Sequence, residues 1–403
     1  MKFIFLHQNF PGQFPHIASY LAREGHQVIS MSQAQARGLA GVQNIVYKPS
    51  RGATKGIHHY LIGAENAILN GQAVARTMQA LKQKGFVPDV VIGHAGWGET
   101  LYVKDVFPET KLINYLEFFY HATGADTGFD PEFPNQADDF LRIRTKNIVN
   151  LLSLDGCDAG ISPTQWQKSQ YPLEYQPKIS VIHEGINTAM AKPNPTASVT
   201  LPNGRVLTSQ DKVVTYVARS LEPYRGFHIF MRALALICQR QPDYQVLIIG
   251  ADEVSYGRRQ EGKTYKEQML SEVSIDESRV HFLGRLPHDQ FTTILQISSA
   301  HIYLTVPFVL SWSMLEAMAI GCLVIGSNTP PVREIIEHEK NGLLVDFFDP
   351  QAIADAVDLA LNQPEQMKSM RRAASQYIQE NYPIEKSIMQ YKHLIQSLTG
   401  NTI

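Results

Sequence analysis

The chain has 403 residues, which is too long for one ordinary hydrophobic core and suggests two domains of roughly 200 residues each. Hydrophobic residues make up 44% and charged residues 18%, a balance typical of a folded globular protein rather than a disordered one. The net charge of −2 gives no indication of a nucleic-acid partner.

The cysteines and the N-terminus indicate the compartment. Cys157, Cys238 and Cys322 are far apart and odd in number, so they predict neither a metal site nor a disulfide framework and are typical of a reducing environment. The first apolar run is too short to cross a membrane and lacks the hydrophobic region of a signal peptide. We therefore expect a cytoplasmic protein, and peripheral contact with the inner face of the membrane stays open.

Short apolar runs alternate with helical stretches along the chain, which indicates parallel sheets whose strands are covered on both faces. The predicted strands of the first half are Phe3–Leu6, Val28–Met31, Asn44–Tyr47, Val90–Ile92, Leu112–Leu116 and Ile179–Ile182. Those of the second half are Val213–Val217, Val246–Ile249, Val280–Leu283, Ile302–Val306, Leu323–Ile325 and Leu343–Val345. The sequence therefore predicts an α/β protein with two doubly wound, Rossmann-like domains.

A segment rich in proline, serine, threonine and asparagine separates the two series of strands. We predict a first domain over 1–190, a linker over 191–211, a second domain over 212–384, and a C-terminal helix over 385–403 that can pack back on the first domain. Ligands of doubly wound sheets bind outside the carboxyl ends of the strands. We therefore expect the active site in a cleft between the two domains.

The segment from Gly257 to Thr264, GRRQEGKT, matches the phosphate-loop pattern. A phosphate loop needs its first glycine directly after a strand, whereas the predicted strand ends near Gly250. The residues between the two glycines are bulky and charged, which hampers close wrapping around a phosphate. We interpret this segment as a solvated connecting loop.

A strand, a loop and a helix are predicted within Ile302–Ile336. Ser311 or Ser313 can cap the helix, whose free N–H groups and positive dipole end would suit a phosphate, and Trp312 lies between them. Glu316 lies about one turn into this helix, where its carboxylate can accept hydrogen bonds from both hydroxyls of a ribose. The alternative is a glutamate that only stabilises the helix dipole.

Two arginines lie close together near the start of the second half. Arg219 follows a predicted strand, and Arg225 opens the next helix together with Gly226. Two guanidinium groups at a strand end can clamp a diphosphate through bidentate hydrogen bonds. They would neutralise the leaving group without a metal, whereas the alternative is a pair of surface arginines.

The first half offers candidate catalytic side chains directly after predicted strands. His94 follows Val90–Ile92 and Glu117 follows Leu112–Leu116, at the ligand-binding edge of a doubly wound sheet. For both, the alternative is a structural side chain with a buried partner. Further polar candidates in this half are His7, Glu99, Asp126, Asp130 and Glu132.

These motifs occur in an order that resembles the retaining glycosyltransferases of family 4, which have the GT-B fold. The segments that carry the resemblance are VIHEGINTAMAKP, VARSLEPYRGF, VHFLGRLPHDQF, SMLEAMAIGCLVIGSNTPPVREII and NGLLVDFFDPQAIADAV. The resemblance implies two Rossmann-like domains that face a cleft and a nucleotide-diphosphate-sugar donor. It also implies transfer with retention, in which the departing diphosphate helps to deprotonate the acceptor. No Asp-x-Asp motif follows a strand, so we expect no essential metal and no cofactor.

The resemblance also implies roles for single residues. Glu316 matches the second glutamate of the family's Glu-x7-Glu motif, which binds ribose. Arg219 matches the arginine of the diphosphate clamp, and Arg225 stands where the family usually has lysine. Gly12 matches a loop in which glycines let the backbone approach both substrates. Glu117 matches a position near the reacting face of the sugar.

One position departs from the family pattern. Phe308 stands where the first glutamate of Glu-x7-Glu contacts the sugar hydroxyls, which leaves the identity of the sugar open. The segment VHFLGRLPHDQF adds Gly284 and Arg285 to the predicted substrate-binding residues. These residues also include Ser311, Trp312 and Ser313.

Two other functions stay open. The chain can be a nucleotide-sugar 2-epimerase of the same architecture, which needs no acceptor, or a non-catalytic nucleotide-sugar-binding protein, as Phe308 suggests. The acceptor of a transferase would be a glycan, a lipid-linked molecule or a small molecule. The sequence does not identify it, because acceptor loops lie in the variable first half.

Overall fold

The computed structural model describes residues 1–34, 38–240 and 243–402. The chain divides into two compact units, which comprise Met1–Gly185 with Ile384–Ile403, and Ile186–Pro383. Each unit contains one large sheet of parallel strands that alternate along the chain with helices. The predicted fold class of two doubly wound α/β domains is therefore confirmed.

The first unit begins with a strand and alternates strands with helices. Its elements up to Gly185 are β1 (Lys2–Leu6), α1 (Pro15–Arg23), β2 (Gln27–Ser32), β3 (Val42–Val46), α2 (Ile62–Gln83), β4 (Val90–His94), α3 (Val103–Val106), β5 (Lys111–Tyr115), α4 (Ala137–Lys146), α5 (Ile148–Gly156), β6 (Ala159–Ser162), α6 (Gln165–Ser169) and β7 (Ile179–Val181).

The strands of this unit form a parallel sheet in the order β3-β2-β1-β4-β5-β6-β7. The order reverses between β1 and β4, and doubly wound sheets bind ligands at the carboxyl ends of the strands beside such a reversal. Every residue of Phe3–Leu6 is fully buried. Cover on both faces explains why β1 reads as an unbroken apolar run.

The strand β6 is absent from the predicted strands. Its sequence, AGIS, has small residues in place of the bulky apolar residues of its neighbours. A Cβ atom at Gly160 would lie 2.5 Å from Cδ1 of Leu116. Close packing against β5 therefore demands a small residue, and this removes the apolar signal that marks the other strands.

The second unit starts with a hairpin and continues with alternating strands and helices. Its elements are β8 (Ser198–Thr200), β9 (Val206–Thr208), β10 (Val213–Ser220), α7 (Phe227–Arg240), β11 (Gln245–Ala251), α8 (Tyr265–Glu272), β12 (Val280–Gly284), α9 (His288–Gln296), β13 (Ala300–Tyr303), α10 (Trp312–Ile320), β14 (Val324–Ser327), α11 (Pro330–Arg333), β15 (Leu343–Val345), α12 (Pro350–Asn362) and α13 (Pro364–Asn381).

The second sheet is parallel, has the order β12-β11-β10-β13-β14-β15 and reverses between β10 and β13. The antiparallel hairpin β8–β9 lies within 191–211, the segment for which we predicted a linker. Its residues Leu201 and Leu207 are buried in the core of the second unit. The chain passes from one unit to the other between Gly185 and Ile186, ahead of the predicted join.

The last helix, α14 (Ile384–Thr399), belongs to the first unit. Tyr391 and Ile395 lie in the same hydrophobic cluster as Phe14. The ammonium group of Lys392 donates a hydrogen bond to the hydroxyl of Tyr20 at 2.8 Å. In the described part of the chain, no helix is both long and apolar enough to span a bilayer.

We expect α14 to contribute strongly to the stability of the first unit. Ile395 is fully buried, so Ile395→Ala should lower the free energy of unfolding by about 2–4 kcal/mol, because it removes buried methyl groups and leaves a cavity. Met389 lies in the same helix with 50% of its surface exposed, and Met389→Ala is the matched control, with an expected change within about 0.5 kcal/mol. Urea unfolding of both variants measures the difference, and equal losses would contradict the packing of α14.

Candidate active site

Polar side chains of the first unit collect where three adjacent strands end. His7 directly follows β1, His94 is the last residue of β4, and Glu117 follows β5. β1 and β4 are the strands between which the sheet order reverses. The predicted candidates His94 and Glu117 therefore lie at the edge where a doubly wound sheet binds ligands.

A chain of hydrogen bonds connects His7 to Glu117. Nδ1 of His7 accepts from the backbone N–H of Asn9 at 2.9 Å, which leaves the proton of the neutral ring on Nε2. Nε2 lies 2.8 Å from Oε1 of Gln13 and donates to it. The amide Nε2 of Gln13 then donates to Oε1 of Glu117 at 3.1 Å. The hydrogen bond to His7 thus fixes its tautomer, and this tautomer fixes the orientation of the Gln13 amide toward Glu117.

His94 approaches the other oxygen of the same carboxylate. Its Nδ1 accepts from the backbone N–H of Gly96 at 3.0 Å, so its Nε2 carries the proton. Nε2 lies 3.6 Å from Oε2 of Glu117. The imidazole stacks on the indole of Trp97, with the ring centroids 4.0 Å apart. His94 and Gln13 thus present donors to the two oxygens of Glu117.

The electrostatics favour an ionised Glu117 beside a neutral His7. Burial, followed by the nearby His94, lowers the pKa of His7 to about 3. Burial alone would raise the pKa of Glu117, but the nearby imidazoles of His94 and His7 and the hydrogen bond from Gln13 outweigh it and hold the pKa below its usual range. The side chain of Glu117 is 32% exposed. It is therefore an accessible carboxylate that can accept a hydroxyl proton or stabilise a positive charge.

Gly12 shapes this cluster through its backbone. Its φ is +50°, and a Cβ atom there would lie 2.2 Å from Nε2 of His7. Any other residue would push the imidazole away from Gln13. The structure thus places Gly12 against His7.

The remaining polar candidates of the first unit have other surroundings. Glu99 is fully buried, its Oε1 accepts from the hydroxyl of Tyr47 at 2.8 Å, and burial raises its pKa. Asp126 and Asp130 are buried in the loop between β5 and α4, whereas Glu132 is exposed. These side chains form part of the interior or of the loop structure.

In the second unit, Arg225 is a buried cationic residue. We predicted that it opens a helix, but it ends a short 3₁₀ turn over Pro223–Arg225, and α7 starts only after Gly226, whose φ is +63°. The side chain is only 6% exposed. Its Nη1 donates to the hydroxyls of Tyr303 at 3.1 Å and Thr305 at 2.8 Å. The surface-arginine alternative is therefore wrong for Arg225.

The groups that accept hydrogen bonds from this guanidinium are neutral hydroxyls, and the carboxylate of Glu222 attracts it without contact. Within residues 1–34, 38–240 and 243–402, no carboxylate forms an ion pair with Arg225. Its Cζ lies 5.7 Å from the ring centroid of Tyr256. A buried cation that lacks a paired anion is unfavourable unless a ligand supplies the negative charge. Arg225 is thus suited to bind an anion.

Arg219 differs from Arg225 in its environment. It lies within β10 rather than after it, and it is exposed. The register of β10 with β11 shifts between Val217 and Ser220, so the strand is irregular at this arginine. Exposure leaves its guanidinium accessible and is compatible with both the clamp and the surface alternative.

The helix α10 begins beside Arg225. Ser311 caps it by accepting from the backbone N–H of Ser313 at 3.4 Å, and the two hydroxyls lie 2.9 Å apart. The backbone N–H of Ser311 donates at 2.8 Å to the hydroxyl of Tyr303, which also accepts from Arg225. One buried hydroxyl thus connects the guanidinium to the N-terminus of this helix. Trp312, the first helical residue, is 40% exposed.

Glu316 points to a histidine of the neighbouring helix. Its Oε1 accepts from Nε2 of His288 at 2.7 Å, and its side chain is 17% exposed against 59% for His288. The carboxylate has a second oxygen for a ligand. The hydrogen bond to Glu316 and the charge of that carboxylate raise the pKa of His288 against the effect of burial.

Phe308 fills a position between aromatic side chains. It is only 5% exposed, and its ring centroid lies 5.4 Å from that of Tyr224 and 5.1 Å from that of Tyr256. The position where the resemblance predicts a carboxylate in the family thus carries a hydrocarbon side chain in this protein. No hydroxyl of a sugar can find a hydrogen-bond acceptor in this side chain.

The two remaining predicted residues lie after β12. Gly284 ends this strand with a φ of +67°. The side chain of Arg285 is 60% exposed, and its Nη2 forms an ion pair with Oε2 of Glu253 at 2.7 Å. Arg285 is therefore already paired at the surface, and no contact connects it to Arg225.

Several residues that organise these clusters were not among the predicted candidates. Gln13 contacts Glu117, Trp97 stacks on His94, and Tyr303 connects Arg225 to α10. The contacts of Gln13 with Glu117 and of Tyr303 with Arg225 join residues that are far apart in the sequence, so local sequence carries no signal for them. Trp97, in contrast, lies close to His94 in the sequence. Another missed residue, Glu222, is fully buried and accepts from backbone N–H groups of the segment that precedes Arg258.

Comparison with known families covers both units. Residues 24–191 match the glycosyl transferase family 4 group, and residues 202–377 match the glycosyl transferases group 1. An uncharacterized glycosyltransferase of Haemophilus influenzae is 24% identical over 251 residues, which are 62% of this chain and 64% of that protein. A D-inositol 3-phosphate glycosyltransferase of Corynebacterium urealyticum is 30% identical over 189 residues, 46% of this chain and 43% of the relative. The match thus spans less than two thirds of either relative.

Solved structures share the fold over nearly the whole chain. HepE of Anabaena in complex with UDP and glucose has a TM-score of 0.72 and 17% identity, with 98% of this chain and 100% of that chain covered. Sucrose-phosphate synthase of Thermosynechococcus elongatus has a TM-score of 0.75 and 18% identity, with coverages of 99% and 100%. The chain therefore belongs to the group 1 glycosyltransferases of the family 4 type and has the GT-B fold.

We expect the pairing of His288 with Glu316 to be visible in titrations. In a proton NMR titration His288 should titrate above the ordinary histidine pKa of about 6.5, and Glu316→Gln should lower this pKa. Because the folded pKa is raised, the stability that the pair contributes is complete below about pH 6.5 and is lost as the pH rises through the raised pKa.

His281 is the internal control for this titration, because burial lowers its pKa and Gln245, not Glu316, contacts it. Its titration should be the same in both proteins. An unchanged pKa of His288 in Glu316→Gln would show that the hydrogen bond does not form in solution.

Proposed function

We propose that this group 1 glycosyltransferase transfers a hexosyl group from a UDP- or GDP-sugar to an acceptor hydroxyl, with retention of the anomeric configuration. The observation that carries the proposal is the buried guanidinium of Arg225, which has no ion-pair partner among the described residues and adjoins the N-terminus of α10. Both groups favour an anion. A diphosphate offers enough oxygens to engage the two together.

The names of similar proteins agree with this donor class. HepE was crystallised with UDP-glucose, and the corynebacterial relative is named as a glycosyltransferase that acts on D-inositol 3-phosphate. In our proposal Glu316 accepts hydrogen bonds from the ribose hydroxyls. His288 engages one of its oxygens and fixes the carboxylate orientation.

The leaving diphosphate gains negative charge as the bond to the sugar breaks. Arg225 is held in place by Tyr303 and Thr305, so it stabilises this charge without reorganisation. Arg219 is exposed and supplies the second cation of the clamp. The two guanidinium groups make a divalent metal unnecessary in this scheme.

The first unit contributes a carboxylate in the proposal. Glu117 is ionised, accessible and hydrogen-bonded by Gln13, with His94 beside it. A negative charge of this kind stabilises the positive charge that develops at the anomeric carbon. Since a diphosphate oxygen accepts the acceptor proton on the same face, the scheme needs no separate base.

The acceptor in this proposal is a hydroxyl of a glycan, of a lipid-linked molecule or of a small molecule. A lipid-linked acceptor would bring the protein to the surface of the cytoplasmic membrane. The polar cluster of His7, Gln13, His94 and Glu117 offers both donors and acceptors for the hydroxyl groups of such a molecule.

The function is tested by a donor screen followed by product analysis. Thermal shift over UDP-, GDP- and other nucleotide sugars should identify one nucleotide that raises the unfolding temperature, because a ligand stabilises the state that it binds. Mass spectrometry with that donor and a panel of acceptors should then detect a glycosylated product, and NMR its anomeric configuration. Epimerisation of the donor without an acceptor would overturn the proposal, and so would the absence of any nucleotide binding.

The arginine clamp leads to a separate prediction. Arg219→Ala should lower the single-turnover rate roughly tenfold to a thousandfold, since developing charge is left partly unmatched. Arg225→Lys should be milder than Arg225→Ala, because it keeps the charge but loses the planar geometry. The affinity for UDP should fall more than that for UMP in both alanine variants.

Calorimetric titrations and quench-flow rates measure these changes, and Arg232→Ala is the matched control because its guanidinium is paired with Glu272 and has no predicted role in binding. A wild-type rate in Arg219→Ala, or equal losses for UDP and UMP, would contradict the clamp.

A further inference from the structure

A buried carboxylate of the second unit binds a row of backbone N–H groups. Glu222 is fully buried, and its two oxygens accept from the N–H groups of Ser255 at 3.1 Å, Tyr256 at 3.2 and 3.1 Å, and Gly257 at 2.8 Å. Consecutive N–H groups that converge on one point form an anion-binding nest. Here the anion is a side chain of the protein itself.

The last residue of the nest, Gly257, is also the first residue of the segment GRRQEGKT, whose sequence matches the phosphate-loop pattern. The strand β11 ends at Ala251, and Gly257 follows only after an exposed stretch. A Cβ atom at Gly257 would lie 3.3 Å from Oε2 of Glu222. The N–H groups that a phosphate would need are thus already used by the protein.

The nest determines where the side chain of Tyr256 lies. The ring of Tyr256 is 5.1 Å from that of Phe308, and the guanidinium carbon of Arg225 lies 5.7 Å from the Tyr256 centroid. A second contact, 2.7 Å between the hydroxyls of Ser220 and Ser255, fastens the same loop to the end of β10. Tyr256 is nevertheless 39% exposed, so its ring forms an outer wall beside Arg225.

We propose that Glu222 is a positioning residue for donor binding, which acts by holding Tyr256 as the wall of the diphosphate subsite at Arg225. The proposal rests on the proposed function, since it assigns the diphosphate to Arg225. Hydrogen bonds from N–H groups to a carboxylate are stronger than those between neutral groups, so they can fix an exposed loop. The fixed aromatic ring keeps water from one side of the guanidinium and holds it toward the ligand.

The test compares Glu222→Gln, Tyr256→Ala and the double variant. Glu222→Gln replaces one acceptor oxygen by an amide group that repels the backbone N–H groups. We expect each single variant to weaken UDP binding roughly tenfold, the size expected when a charge-assisted hydrogen bond is lost. The double variant should lose no more than either single one, because both changes remove the same wall.

Matched controls separate positioning from general destabilisation. Asp358 is another partly buried carboxylate of this unit. It accepts hydrogen bonds from Arg240 at 2.6 Å and from the hydroxyl of Tyr244, the residue before β11, at 2.7 Å. Asp358→Asn should affect stability but not UDP affinity. Gly257→Ala crowds Oε2 of Glu222 from the loop side and keeps the buried charge, so it should weaken UDP binding in the same direction.

Calorimetry with UDP and amide hydrogen exchange give independent results. Glu222→Gln should lose exchange protection at Ser255, Tyr256 and Gly257 while α7 stays protected. Unchanged UDP affinity in this variant, or losses that add in the double variant, would overturn the positioning role. If the wild-type protein binds no nucleoside diphosphate, the proposed function fails, and the positioning role for donor binding fails with it. Hydrogen exchange would then still show whether Glu222 holds the loop.

Discussion

The guanidinium of Arg225 is buried, and among the described residues the groups in contact with it are hydroxyls and aromatic rings rather than carboxylates. Hydroxyls of Tyr303 and Thr305 accept from its Nη1, and the ring of Tyr256 lies beside it. Hydroxyls and aromatic rings solvate a guanidinium but do not neutralise it. The second unit therefore places this cation beside the N-terminus of α10, where the helix dipole adds to its positive potential.

The first unit has a charge of opposite sign after one of its strands. Glu117 is ionised, and the groups around it, Gln13 and His94, are hydrogen-bond donors rather than fixed cations. Glu117 follows β5, which neighbours the reversal strand β4, whereas Arg225 follows β10, which is itself a reversal strand. Bond cleavage in a nucleotide sugar separates a negative diphosphate from a positively charged anomeric carbon. In our proposal, Arg225 acts on the first of these charges and Glu117 on the second.

The fold was largely predictable because strands covered on both faces are uninterrupted apolar runs, as in Phe3–Leu6. β6 was missed because close packing at Gly160 requires small residues, and the hairpin β8–β9 because its short strands lie in polar, proline-rich sequence. The sequence also predicted that the candidate side chains follow strands. It did not predict their environments, since the burial of Arg225 depends on contacts with Tyr303 and Thr305, which are distant in sequence.

The phenylalanine at position 308 has an electrostatic consequence for the second unit. A glutamate at this position would lie beside Tyr256, whose ring adjoins Arg225, and would compensate part of the guanidinium charge. Phenylalanine supplies no such charge. The carboxylate of Glu222 attracts Arg225 electrostatically, but its two oxygens accept from backbone N–H groups and form no ion pair with the guanidinium. Arg225 therefore has no contacting anion among the described residues, and this property suits it to the diphosphate in our proposal.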